Sequence, residues 1–487
     1  MVSTAFRKVI LSDKIYWILI LGFFFLLYAP NLLREGMFVD GIWYATISHN
    51  LANGFGSLWK PMFTNTIFPE FYEHPPLVFW IQSLFFRIFG STFWTERIYC
   101  LFIFIITSFL IVKIWRIINS NNSSYKKVTY LPLALWMLNF QTFFAYPNNV
   151  LECTLTIFTL SAIYLLIKSL ISSERTSYLF IFLSGIFVFL GVMCKGAVAL
   201  FPFAFFPLYL LIYKGNIKEL VTKTLLVIAS FLICFFIVLQ FENARMFFVQ
   251  YIDNQIIKSI LGFRTENMRE SRFYILNALL KGIPVTLGLS ILLVVFAFFG
   301  NKKKWIFDKS HNKKSAFYCL IALSASAPIM ISLKQAGYYL VPSLPLFSIA
   351  LALLVVPSFV FLKEKFKKNL KNYLKFSWCS IAFLFICIAI AGRNIGTIDK
   401  RDRDKINFVN ATKNRIPAKS ILDFKSINLE HSLHAFFQRN QFIALDTSVT
   451  FSNNYFIIEK EVDTISLENY DLLPEFNDTK YHVYLKH

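Results

Sequence analysis

Apolar runs recur along the first four fifths of the chain, near residues 15–33, 96–117, 128–145, 150–171, 177–194, 197–213, 222–241, 283–300, 315–333, 340–362 and 376–392. A helix of about 20 apolar residues crosses the hydrocarbon core of a bilayer. About eleven membrane spans are therefore expected, and an odd number puts the two termini on opposite sides. The first run is longer than a signal-peptide core and no small-residue cleavage site follows it, so it reads as an anchor. Beyond residue 392 the pattern changes. Polar helical stretches at 404–415 and 429–440 alternate with strand-like runs at 442–445, 455–459 and 481–486, the pattern of a small α/β domain. The expected division is a transmembrane domain over 1–391 and a soluble domain over 392–487.

Composition agrees. Of 487 residues, 56% are hydrophobic and only 16% charged, against roughly 25% in soluble domains, and mean hydropathy is +0.55. An ordinary cytosolic enzyme, a disordered chain and a disulfide scaffold are excluded. The net charge of +21 raises the question of nucleic acid, which position answers: the tail from Gly392 carries 13 basic and 13 acidic residues, so the whole excess lies in the membrane part. No nucleic-acid partner is expected. Lys302, Lys303, Lys304, Lys313 and Lys314 share one loop and more lysines fill 363–375, which by the positive-inside rule places the N-terminus in the cytoplasm and the tail outside. All seven cysteines sit in apolar runs, where they read as small core residues.

The acids concentrate on the outer side. The first outer loop, about 34–95, is too long for a mere connection and contains two helical patterns expected to lie at the interface. The first, 41–52, sets Trp43, Ile47 and Leu51 on one stripe beside Ser48, His49 and Asn50; the second, 76–89, is apolar but short of a spanning length. Asp40 precedes the first and Glu73-His74-Pro75-Pro76 opens the second. Helix capping explains an acid or a proline at such positions, and a chemical role is compatible with it. Glu152 opens the fourth run, Lys195 stands at an outer turn before Gly196, and Lys334 leads into Tyr338-Tyr339. Singly, these read as snorkelling lysines and an aromatic belt. Acids and bases gathered at one membrane boundary point to a site for a charged lipid or substrate.

Asp40-Gly41-Ile42-Trp43-Tyr44-Ala45, Glu73-His74-Pro75-Pro76-Leu77, Lys195-Gly196 and Lys334 with Tyr338-Tyr339 and Pro342 follow one another in the order seen in GT-C fold membrane glycosyltransferases. Over about 10–360 the chain resembles the branch holding protein O-mannosyltransferases and lipid A aminoarabinose transferases. The resemblance implies a polytopic α-helical fold and an enzyme moving a sugar from a polyprenyl-phosphate carrier to an acceptor hydroxyl on a lipid, protein or glycan. It implies Asp40 as general base in an inverting displacement, with Glu73 a second catalytic acid. Glu152, His74 and Tyr44 would hold acceptor or sugar, and Lys195, Lys258, Lys334, Tyr338 and Tyr339 the donor phosphate. The chain departs from the pattern at Gly41, where many relatives carry an acid, and at His74, where they carry a lysine. Gln255, in the segment Gln255-Ile256-Ile257-Lys258, is a poor metal ligand. No cofactor is required, and a divalent metal stays open.

Other readings stay open as well. A GT-C ligase or polymerase using a polyprenyl-diphosphate donor would rely on outer-loop cations such as Arg264, Arg269 and Arg272. A transporter of lipid-linked sugars would also be polytopic, although the sequence shows no internal repeat. A non-catalytic assembly protein leaves the paired acids unexplained. A composition rich in Phe, Lys, Ile and Asn points to a bacterial cytoplasmic (inner) membrane.

Overall fold

A computed structural model describes residues 13–261, 269–302, 306, 308–428, 430–462 and 469–487. Lys303, Lys304, Arg264 and residue 429 lie outside the described residues.

Every expected apolar run forms helix. Among the described residues, seven stretches are long and apolar enough to cross a membrane: Phe93–Ile118, Leu151–Ser169, Glu174–Tyr213, Ile217–Leu239, Lys309–Ile331, Leu344–Lys368 and Leu370–Gly392. The pair Tyr274–Gly282 and Pro284–Gly300, bent by 50°, makes an eighth if counted as one span. Interruption accounts for the difference from eleven. The first run divides into Lys14–Leu27 and Ala29–Leu32, and the third into Tyr130–Met137 and Phe140–Ala145. Glu174–Tyr213 contains two of the expected runs. Its 40 residues would extend to roughly twice the bilayer core if straight, but Gly196, at φ +73°, ends the helix Glu174–Lys195. The chain then reverses, because a Cβ on Gly191 would lie 2.9 Å from the Cβ of Ala199.

The chain divides into two compact units. One comprises Met1–Leu32, Leu101–Pro147 and Leu151–Arg393; the other Leu33–Cys100, Asn148–Val150 and Asn394–His487. The tail from Asn394 thus shares its unit with Leu33–Cys100, which holds the first outer loop.

In that second unit a five-stranded sheet has the order β2-β1-β3-β5-β4, where β1 is Ile421–Lys425, β2 Ala444–Asp446, β3 Tyr455–Glu459, β4 Tyr470–Leu472 and β5 Tyr481–Lys486. β1 runs parallel to β2 and β3, and β5 pairs antiparallel with β3 and β4. Helix His431–Gln441 packs on the helix Val39–Ala52. Trp43 Nε1 donates to the His431 carbonyl at 3.0 Å, Thr46 Oγ1 to that of Ala435 at 3.3 Å, and Gln438 Nε2 to Asn50 Oδ1 at 3.1 Å. Val39–Ala52 is consequently buried well beyond the single stripe expected. Ser48, His49 and Asn50 are buried too, and Asn50 Nδ2 also donates to the carbonyls of Met62 and Phe63, so that amide is satisfied inside the protein.

Candidate functional site

Aromatic side chains of the outer loop form one group. The helix Val39–Ala52 begins after Phe38 at the cap position, which puts Asp40 inside the first turn rather than at the N-cap. A carboxylate there is favoured by the exposed N–H groups of the helix start. Asp40 is half-buried. Tyr44, four residues on, lies on the same helix face and is 4% exposed. Its ring meets that of His74 edge-on at 5.7 Å, and Phe71 and Phe79 close the group. Glu73, half-buried, precedes His74 in the stretch leading to Pro75, Pro76 and the helix Leu77–Phe89. Asp40, Tyr44, Glu73 and His74 thus belong to one unit, with Tyr44 in contact with His74.

The second group lies in the membrane unit. Glu152, in the first turn of Leu151–Ser169, is 1% exposed. Its carboxylate is ion-paired with the ammonium of Lys195, the last residue of Glu174–Lys195. The same ammonium stands 4.5 Å from the centre of the Tyr339 ring and 5.5 Å from that of Tyr338. Both tyrosine rings therefore lie beside this ammonium. A buried cation with one carboxylate partner and two aromatic faces is stable only because each neighbour offsets part of its desolvation. An anion of a lipid headgroup brought to it would gain a strong hydrogen-bonding partner.

Two expected lysines stand differently. Lys258 is exposed and follows a short π-helical segment, Ile252–Ile257, and its ammonium donates to Asn254 Oδ1 in that segment at 2.6 Å. Lys334 is half-buried, its N–H held by Ser332 Oγ at 3.1 Å.

Sequence reasoning passed over two neighbours. Tyr251 places its hydroxyl over Gly196, where a Cβ would come within 2.1 Å of it, so glycine is required beside Lys195. Gln335, 1% exposed, accepts from Ile275 N–H at 2.8 Å and donates to the carbonyls of Arg272 and Ser332, while its own carbonyl accepts from Arg269 Nε at 3.1 Å. It organises the segment leading to the tyrosines. Arg269 is thereby engaged in holding the loop. Position between Lys334 and Tyr338 was the one available signal for Gln335. Among the described residues no three His, Cys, Asp or Glu side chains are grouped to hold a metal ion, and Gln255 adds only an amide; no chemical step is routed through a metal.

Residues 73–241 match the family model described as dolichyl-phosphate-mannose-protein mannosyltransferase. No curated protein matches the chain by sequence. Among solved structures, ArnT from Cupriavidus metallidurans in the apo state is similar over 99% of this chain and 98% of that one, with TM-score 0.65 at 12% identity. ArnT bound to undecaprenyl phosphate gives TM-score 0.63 at the same identity and coverage. The oligosaccharyltransferase AglB from Archaeoglobus fulgidus, in complex with an inhibitory peptide and a dolichol-phosphate, covers 93% of this chain and 70% of its own, with TM-score 0.50 at 11% identity. The chain therefore has the GT-C fold of ArnT over nearly its whole length, and resembles the mannosyltransferase family in the segment that carries Glu73, Glu152 and Lys195.

Proposed function

We propose that this multi-span membrane protein is a glycosyltransferase that moves a sugar from a polyprenyl monophosphate to an acceptor hydroxyl on the outer face of the bacterial cytoplasmic membrane. The observation that carries the reading is the buried ammonium of Lys195 at a helix end, held by Glu152 and flanked by Tyr338 and Tyr339. The fold shared with an ArnT that binds undecaprenyl phosphate supports the same donor class.

In this reading the bond between the anomeric carbon and the phosphate oxygen breaks as the acceptor oxygen attacks from the opposite side, so configuration inverts. Asp40 takes the acceptor proton, with Glu73, Tyr44 and His74 orienting acceptor or sugar. The departing phosphate monoester gains charge, which Lys195 and the tyrosine hydroxyls meet. Glu152 sets the position of the Lys195 ammonium. Lys258 and Lys334 attract the anionic headgroup from further out.

The test offers the purified protein three donors: a nucleotide sugar, a polyprenyl-phosphate sugar and a polyprenyl-diphosphate sugar. Transfer from the monophosphate lipid is expected. Transfer from the nucleotide sugar alone would sink the reading, and transfer from the diphosphate lipid alone would replace it with a ligase-type reaction. Lipid and glycan profiling of a strain lacking the protein would identify the acceptor.

A further inference from the structure

We infer that the asparagine pair Asn148-Asn149 is a clamp that fixes the backbone on both sides of Asp40, and that these two residues position the base without touching substrate; the catalytic part of the inference rests on the function proposed above.

The clamp has three points. Asn148 Oδ1 accepts the N–H of Phe38 at 2.8 Å. Phe38 is the cap residue of Val39–Ala52, so this is one of the orphan N–H groups of the helix start, satisfied by a side chain from a distant part of the sequence. Asn149 Nδ2 donates to the carbonyl of Gly41 at 3.0 Å. The third point is the glycine itself: a Cβ on Gly41 would lie 2.0 Å from the carbonyl oxygen of Asn148 and 2.9 Å from its carbon. The backbone of Asn148 therefore rests on the α-carbon of residue 41, an approach that only glycine permits. Phe38 and Gly41 are held, and Asp40 lies between them with little torsional freedom.

The clamp is braced from behind. Asn149 Nδ2 also reaches Gln82 Oε1 at 3.3 Å, and Ser48 Oγ donates to the same oxygen at 3.0 Å. Gln82 and Ser48 are both 0% exposed and Asn149 is 4% exposed. Asn149 adopts φ +53°, a left-handed conformation that asparagine tolerates better than most residues. A connection between two helices has no need of two buried asparagines directed at the first turn of a third. A base that must meet a hydroxyl at hydrogen-bond distance does need a fixed origin, because a displacement of about 1 Å can cost on the order of 100-fold in rate.

The experiment compares Asn149→Gly, Asn148→Ala and Gly41→Ala with the unmodified full-length protein in detergent or nanodiscs. Asn149→Gly retains the left-handed backbone and removes only the side chain, so its effect is not backbone strain. Two readouts are taken: steady-state transfer from a polyprenyl-phosphate sugar, and amide hydrogen exchange of the peptide spanning 37–44. Each variant is expected to exchange faster in that peptide and to lose about 10- to 100-fold in kcat, with KM for the lipid donor changed less than about threefold. Asn148→Asp, which keeps an acceptor for Phe38 N–H, should recover most of the turnover lost in Asn148→Ala. Faster exchange with undiminished kcat would overturn the positioning role, and unchanged exchange would overturn the clamp itself. If the unmodified protein transfers from none of the three donors, the proposed function fails, and the exchange readout still decides whether the clamp exists.

Discussion

Arg439 Nη2 donates to Glu96 Oε2 at 3.0 Å, and each side chain keeps only 3% of its surface exposed. The same guanidinium donates to the carbonyls of Ser91 and Thr92 at 3.1 and 2.9 Å and lies 4.8 Å from the centre of the Phe86 ring. One arginine of the tail thus holds the end of the first outer loop. Arg439→Ala leaves the buried Glu96 carboxylate without its hydrogen-bonded cation, at a cost of about 3–5 kcal/mol. The expected outcome is a markedly lower thermal unfolding midpoint. The double change Arg439→Met with Glu96→Leu should recover much of it, because removing both charges removes the desolvation penalty along with the attraction. Equal midpoints for Arg439→Ala and the unmodified protein would show that the pair contributes nothing.

Burial and the nearby Arg439 charge lower the His49 pKa to about 3, and burial, aided by His431 against the opposing pull of Glu430, lowers that of His434 to about 4. An unfolded histidine titrates near about 6.5. Between that value and about 4 the unfolded chain binds protons that the native unit refuses, so these residues contribute stability that is lost as pH falls through this window. Buried Glu35 and Asp402 act in the opposite sense just above the ordinary carboxylate range, since their pKa values are raised, first by burial. His434 is the cleaner probe. It is fully buried, packs edge-on against Phe424 at 5.5 Å, and neither ring nitrogen has a hydrogen-bond partner among the described residues. His434→Phe should flatten the fall in unfolding midpoint between pH 6.5 and 4. An unchanged slope would mean that the histidine does not titrate on unfolding.

The parts of this fold that local pattern dictates were legible in the sequence. Apolar runs became helices, and β3 and β5 fall at the expected positions. β1 escaped because Asp423 interrupts its apolar run; that carboxylate is buried and accepts from Asn453 Nδ2 at 3.0 Å, a partner no local window reveals. β4 has only three residues. The candidate site residues stand out in the sequence as polar groups at helix ends, but their partners in the fold do not. Lys195 and Glu152 are 43 positions apart, and Gln438 reaches Asn50 across 388. The same distance explains why Val39–Ala52 read as a one-sided helix: part of what meets its polar side, such as Gln438 on Asn50, comes from the tail.

The orientation is open to a direct check. With the basic loops in the cytoplasm, a reporter fused after Lys486 should be active only if it works outside the cytoplasm. Activity of a cytoplasm-only reporter at that position would put every proposed site residue on the wrong face.

Asp40→Asn is expected to abolish transfer while leaving insertion and donor binding largely intact. Asp40 lies within the first helical turn, where loss of its charge costs the helix about 0.3–1 kcal/mol, too little to unfold the unit. Loss of a general base lowers turnover by about 10²- to 10⁴-fold. Initial rates measured at saturating donor, beside binding of the same lipid, separate the two effects, and normal turnover would leave Asp40 only its place at the helix start.

The pair Lys195–Glu152 allows its structural and chemical roles to be pulled apart. Lys195→Ala removes the ammonium paired with the buried Glu152 carboxylate, so stability should fall by about 3–5 kcal/mol. Transfer should fall by about 10²- to 10³-fold, because a fixed donor facing the developing phosphate charge is lost. Glu152→Gln in the Lys195→Ala background removes the buried charge, since a neutral amide no longer needs a cation. Stability should then return toward that of the unmodified protein. Transfer should not, because no ammonium remains to meet the leaving phosphate in a medium where water is scarce and charge interactions are strong. Thermal unfolding and single-turnover rates on the same three preparations decide the matter. If transfer recovers together with stability in the double variant, Lys195 serves only to neutralise Glu152, and the donor phosphate must be held elsewhere.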